Sequence, residues 1–221
     1  MKTSFETDRL YFREFLPSDD VYLYELDSNP EVHLFLGNKP VKSIEESRKE
    51  IANFKQQYLE NGIGRWAAFL KDSEQFIGWA GLKIEKKVNG HDRFYDLGYR
   101  LMPKHWGNGY ATEAAKAFVK HGFEEMGLTV INAYASAHHY SSRAVLEKAG
   151  LQYVNSFEYE GGEEVWYEIP VTAGQIALRQ RCSMYNYHYI TTTLLQLGCL
   201  SGNFIWGCGM QNIAVLKHIV C

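Results

Sequence analysis

Met102-Pro-Lys-His-Trp-Gly-Asn-Gly-Tyr-Ala-Thr-Glu-Ala-Ala115 is the stretch on which the fold turns. The apolar run Asp96 to Met102 ahead of it suits a short strand, and the Ala-rich run behind it predicts a helix from about Thr112. Gly107 and Gly109 permit a tight turn between the two and remove side chains that would block a close approach. The amides of such a turn, and of the first turn of the helix, have no intrahelical acceptor. With the positive end of the helix dipole behind them they form an anion site, best suited to a phosphate or diphosphate.

Outward from this turn, the rest of the chain reads as alternating strands and helices. A first strand is expected over Arg9–Phe15, and Pro17-Ser-Asp-Asp breaks it and opens a helix. Ser43-Ile-Glu-Glu46 has the pattern of a capping box for a helix that runs to Gly62. Arg65–Leu70 and Gln75–Ile84 read as a hairpin, followed by a strand over Phe94–Met102 that enters the turn. Beyond it come a helix over Thr112–Met126, a strand over Val130–Ser136, a helix over Ser141–Ala149, and a hairpin of Leu151–Glu158 with Glu163–Val171. An antiparallel meander followed by strand–helix–strand–helix–strand implies an α/β chain built on a mixed, mostly antiparallel sheet with helices on its faces.

Two familiar phosphate loops do not fit. A P-loop needs Gly-Lys-Ser/Thr after its spacer, and none is present. A dinucleotide fingerprint needs a third small residue and an acid about 20 residues later, where this chain has Val130, Ile131 and Asn132. Trp106-Gly107-Asn108-Gly109-Tyr110-Ala111 instead resembles the Arg/Gln-x-x-Gly-x-Gly/Ala turn of the GNAT acetyltransferases, with Trp106 in place of Arg/Gln. Together with the following Ala-Thr-Glu-Ala, it is similar to the branch containing the RimJ/RimL-type ribosomal-protein N-terminal acetyltransferases. The resemblance covers roughly residues 5–170 and implies the GNAT acyltransferase fold.

A second segment agrees. His139-Tyr-Ser-Ser142-Arg-Ala-Val-Leu-Glu-Lys-Ala-Gly-Leu151 resembles the family's Asn-x-x-Ser-x-x-Val-Leu-Glu-Lys-x-Gly-Phe segment. The resemblance implies acetyl-CoA as co-substrate. Its diphosphate would be held by Trp106, Gly107, Asn108, Gly109, Tyr110, Ala111 and Thr112, and its pantetheine by the backbone of Arg100, Leu101 and Met102 and by residue 139. His139 stands where the family has Asn, and an imidazole offers one donor and one acceptor without amide geometry. Ser142 is implied as the acid that protonates the departing thiolate; read from the residues alone, it or Ser141 suits a helix N-cap. The candidate bases are Glu158, which resembles the acid placed there in the ribosomal-protein enzymes, and Asp96, on the strand where many family members carry a catalytic Glu. Glu160 lies two residues beyond Glu158. Tyr99 and Trp106 read as core or rim packing, and Phe35, Trp66 and Trp79 as core aromatics that could otherwise wall an acceptor pocket.

The implied reaction is transfer of acetyl to a primary amine by direct attack, since residues 1–170 contain no cysteine to carry an acetyl group. An α-amine with a pKa near 8 is already about a tenth neutral at pH 7, whereas a lysine needs about 4–5 kcal/mol of help. A protein N-terminal α-amine is therefore the favoured acceptor. A small amine, such as a polyamine or aminoglycoside, is the alternative, and a non-catalytic CoA-binding module is the alternative outside enzymes.

Composition sets the remaining bounds. An apolar fraction of 46% and a charged fraction of 22% are those of a globular protein. A formal net charge of −3 argues against a nucleic-acid binder that works by phosphate neutralisation. The whole deficit lies in residues 1–170, at −6, while residues 171–221 carry +3 and all four cysteines, Cys182, Cys199, Cys208 and Cys221. The cysteine gaps match no zinc pattern, and His33, His91, His105 and His121 have no metal-ligand spacing, so no metal is expected. The uncharged run between Arg181 and Lys217 is too polar and Gly-broken for a membrane span. Residues 1–170 thus read as one GNAT domain. Residues 171–221 read as an appendage, either a homodimer or partner surface or foreign sequence from a frameshift or read-through. With no apolar core of a signal peptide at the N-terminus, a cytoplasmic location is expected.

Overall fold

The computed structural model describes residues 4–172; the tail, its cysteines and the readings made on it lie outside the described residues apart from Val171 and Thr172. The chain begins with two strands, β1 (Ser4–Glu6) and β2 (Leu10–Arg13), paired antiparallel across a Thr7–Leu10 turn. β1 was not expected, because three residues carry too little alternation to be read; Phe5 fixes it by packing on Phe12, Trp66 and Phe118. Helices α1 (Asp20–Asp27), α2 (Pro30–His33) and α3 (Ile44–Asn61) follow. At the start of α3 the Glu46 carboxylate accepts from the Ser43 amide at 3.1 Å, as its capping sequence implies.

Strands β3 (Arg65–Leu70), β4 (Phe76–Glu85) and β5 (Phe94–Leu101) continue the meander. Helix α4 (Tyr110–Glu124) crosses over to β6 (Val130–Ser136). Then come α5 (Tyr140–Lys148) and the hairpin of β7 (Gln152–Tyr159) with β8 (Gly162–Pro170). The eight strands form one sheet in the order β1-β2-β3-β4-β5-β6-β8-β7. Every pairing is antiparallel except β5 with β6, which is parallel and has a single register pair, Asp96 with Asn132. Beyond that pair the two strands separate, and the sheet opens as a wedge toward Leu101 and Ser136.

Each face has its own core. Leu82, Leu97, Phe118, Phe123, Ile131 and Tyr167 belong to the cluster beneath α4 and α5. On the opposite face Leu23, Leu26, Ile51, Phe54 and Trp79 pack α1 and α3 against the first half of the sheet. The second half of that face carries a smaller cluster of Val88, Phe94 and Trp166 with Tyr134, Phe157 and Tyr159, none of them from a helix. Trp66 and Trp79 are core residues, as expected. Phe35 is not; it is 36% exposed.

One buried ion pair braces the sheet at the point of separation. Arg65, on β3, donates to the Asp96 carboxylate and to the Gly81 carbonyl, and at 2.8 Å to the Asp96 carbonyl. Gly98 makes room for it, since a Cβ there would stand 2.5 Å from Arg65 Nη2. The guanidinium cannot swing aside without leaving Asp96. Gly98→Ala is therefore expected to cost about 1–3 kcal/mol of stability, as overpacked cores do, read as a lower urea midpoint with unchanged m-value.

Candidate active site

Gly107 and Gly109 have φ of 77° and 80°, the left-handed region that side chains with a Cβ rarely enter. α4 begins at Tyr110, earlier than expected, because Gly109 turns the chain and its carbonyl already accepts from the Glu113 amide at 3.0 Å. The amides of Gly107, Asn108, Gly109, Tyr110, Ala111 and Thr112 donate to no acceptor among the described residues. The side chains of the turn look inward instead. Asn108 donates to the carbonyls of His105 and Trp106 at 3.2 and 3.1 Å, and the Trp106 indole donates to the Leu101 carbonyl at 2.7 Å. Trp106, 48% exposed, is thus a staple between the turn and the end of β5, which its sequence position alone did not reveal.

The wedge edge of β5 is narrower than expected. The Met102 amide donates to the Ile77 carbonyl at 2.9 Å, and the Met102 carbonyl accepts from His105 at 2.9 Å. Met102, expected to pair with pantetheine, is thus turned into the sheet, and its side chain is buried. Because backbone direction alternates along a strand, Tyr99 and Leu101 are the residues that face the β6 side. The Leu101 carbonyl is shared with Trp106 and its amide is left to the wedge.

Across the wedge, α5 starts at Tyr140 with His139 at its N-cap and no side-chain cap, so neither Ser141 nor Ser142 plays the capping part. Ser142 instead meets Tyr99: the phenol donates to the Ser142 carbonyl at 2.9 Å and lies 3.1 Å from Ser142 Oγ. Burial pushes the Tyr99 phenol pKa well above its ordinary value, so the hydroxyl stays protonated at neutral pH. Tyr99, expected only to pack, has its partner 43 residues away, beyond the reach of any local pattern. The His139 ring stacks on Phe35 with centroids 4.3 Å apart, and burial lowers its pKa, which favours a neutral imidazole at neutral pH.

The carboxylates divide between the faces. Asp96, 5% exposed, is held by Arg65; burial raises its pKa while the guanidinium opposes the rise. That pairing removes it as a free base. Phe157 and Tyr159 contact Tyr134, and Phe157 also meets Trp166, which puts both on the uncovered face. Glu158, between them, therefore projects to the opposite, α5 side, exposed at the edge of the sheet. Glu164, which sequence reading passed over, lies on the uncovered face in register with Ser136 of β6 and Phe157 of β7. It is half-buried, and burial together with Glu160 raises its pKa to about 7.

A row of free amides at a helix start, opening onto a wedge between parallel strands, fits a diphosphate with an extended arm. Among the described residues no cluster fit for a metal occurs, and no helix is long and apolar enough to cross a membrane. Residues 9–152 match the family model for the acetyltransferase (GNAT) domain. The chain belongs to the GNAT acetyltransferases. This GNAT chain is 31% identical over 160 residues to the uncharacterized N-acetyltransferase YoaA of Bacillus subtilis, spanning 71% of this chain and 89% of that one. A GNAT-family acetyltransferase structure from Bacillus anthracis aligns with a TM-score of 0.63 at 25% identity, covering 76% of this chain and 98% of that one. The fold is also that of RimL, a ribosomal L7/L12 alpha-N-protein acetyltransferase in complex with coenzyme A, with a TM-score of 0.64 at 17% identity over 75% of this chain and 96% of that one.

The enzyme is an acetyl-CoA-dependent N-acetyltransferase. A CoA thiol with a pKa near the free-thiol value of about 8.5 leaves with little acid assistance at pH 7. Ser142→Ala and Tyr99→Phe are accordingly expected to lower kcat by no more than about tenfold. Gly109→Val should raise the KM for acetyl-CoA much further, as steady-state kinetics with varied acetyl-CoA would register.

Proposed function

We propose that the acceptor is a primary amine, with a protein N-terminal α-amine favoured, and that it attacks the bound thioester directly from the uncovered face of the sheet. The observation that carries this reading is the wedge itself. Beside it lie free backbone amides at 107–112 and the Tyr99–Ser142 hydroxyls on the α5 side, and on the other face Glu164 is in register with Ser136 at the end of β6. Acetyl-CoA, held by the amides of 107–112 and the β5 edge, supplies the activated acyl group.

In this reading Glu164 takes over the base role first assigned to Glu158 and Asp96. An ionised Glu164 accepts the amine proton directly or through water, while the Tyr99 and Ser142 hydroxyls hydrogen-bond the sulfur side. Phe35 and His139 close one wall of the acceptor cleft. A carboxylate that titrates near 7 is matched to an α-amine near 8, so neither proton transfer is strongly uphill. Glu160 beside Glu164 also favours a cationic acceptor, which keeps small polyamines as the second reading.

Two measurements test this. With labelled acetyl-CoA and no amine, the protein should take up no stable acetyl group; with a panel of peptide N-termini and polyamines, uptake should appear on peptides first. Faster acetylation of polyamines would select the second reading, and a stable acetyl-protein would refute direct attack. The second is pH dependence. kcat/KM should rise as pH passes about 7, and Glu164→Gln should lower activity and remove that limb, leaving only the limb of the amine near 8. Because the folded pKa lies above the ordinary carboxylate value, Glu164 also withdraws stability as pH rises from about 4.5 to about 7. The Glu164→Gln melting temperature should therefore fall less between pH 5 and 8.

A further inference from the structure

We infer that Arg9 is a positioning residue for acetyl-CoA, fixing the peptide between Asn108 and Gly109 so that its N–H faces the diphosphate. The inference rests on the reading that the diphosphate binds the amides of 107–112. Arg9 comes from the turn between β1 and β2, 99 residues before Asn108 in the chain. Its Nη1 donates to the Asn108 carbonyl at 3.0 Å and its Nε to Glu113 Oε2 at 2.7 Å, while the guanidinium carbon lies 4.6 Å from the Tyr110 ring centre. In a trans peptide the carbonyl and the following N–H point in opposite directions. With the Asn108 carbonyl drawn to Arg9, the Gly109 N–H is aimed away from it, into the free row of amides. Arg9 therefore stands behind the turn and acts through the peptide.

The anchoring is built for one orientation. Glu113, in the first turn of α4, receives Thr7 Oγ1 at 2.6 Å, the Arg9 amide at 2.9 Å and the Arg9 side chain. Burial works against its ionisation, but these donors together hold the Glu113 carboxyl below its ordinary value, so it remains an anion through neutral pH. A glycine on each side of Asn108 would otherwise let that peptide rotate, since both neighbours tolerate either sign of φ.

The test compares acetyl-CoA with acetyl-pantetheine, a thioester donor that lacks the diphosphate. Arg9→Ala is expected to raise the KM for acetyl-CoA about tenfold at near-constant kcat, and to lower kcat/KM for acetyl-CoA about tenfold more than for acetyl-pantetheine. Arg9→Lys keeps the charge but cannot bridge Glu113 and Asn108 together, and should show the same bias at smaller size; it serves if the alanine variant folds poorly. Equal losses with both donors would make Arg9 a structural residue only and overturn the inference. A wild-type enzyme that prefers acetyl-CoA, with a preference Arg9→Ala leaves intact, would also overturn it. Should the wild type use both donors equally well, the diphosphate site itself falls, and the inference with it.

Discussion

Strands β5 and β6 are joined at a single pair, Asp96 with Asn132, and the enzyme depends on their parting beyond it. Parallel neighbours need a crossover, and here the crossover is α4, whose start therefore lies at the open end of the gap. The same arrangement leaves two strand edges unpaired inside a folded sheet. Elsewhere such edges are a liability, because free N–H and C=O groups invite another chain. In the proposed reading they are the means by which an extended pantetheine is held through the main chain.

What fixes the point of parting is polar. Asp96 is tied to Arg65 on one side of the pivot. On the other side Asn132 donates to Glu168 at 2.9 Å, and the fully buried Trp166 donates its indole N–H to the same carboxylate oxygen at 2.9 Å. Buried ion pairs often do no better for stability than apolar residues of equal volume, because desolvation offsets the attraction. What the directional bonds add is geometry, since each donor must meet its acceptor at one place along the strands. The separation point, rather than overall stability, is what the pair contributes.

Much of this was legible in the residues. β3 and β6 fall on their expected bounds, and the other expected strands and the helices shift by a few residues, because turn glycines and alternating apolar positions are local signals. The Gly107–Gly109 turn was equally readable, since a left-handed backbone can be inferred wherever two glycines interrupt a strand–helix junction. Less of the site could be read. Tyr99 reaches Ser142, Arg65 reaches Asp96 and Arg9 reaches Asn108 across many tens of residues, and no period in the sequence encodes such a meeting. The face on which Glu158 lies was hidden for a related reason. β7 shifts register between Tyr153 and Asn155, and a shift of one residue sends every later side chain to the other face.

The faces of the sheet divide the proposed chemistry in a way the reaction itself demands. A thiolate is a good leaving group near neutral pH, so its side needs only neutral donors, and burial keeps the Tyr99 phenol in that state. The amine is the reverse: mostly protonated at pH 7, it attacks faster where a base takes up its proton. A fully solvated carboxylate is a weak base for that proton, and a fully buried one such as Asp96 is bound to its counter-ion. Glu164, half-buried and next to a second carboxylate, stands between these extremes. The strands must part for both groups to reach one thioester, because in a closed sheet the hydroxyls and the carboxylate would be separated by the backbone between them.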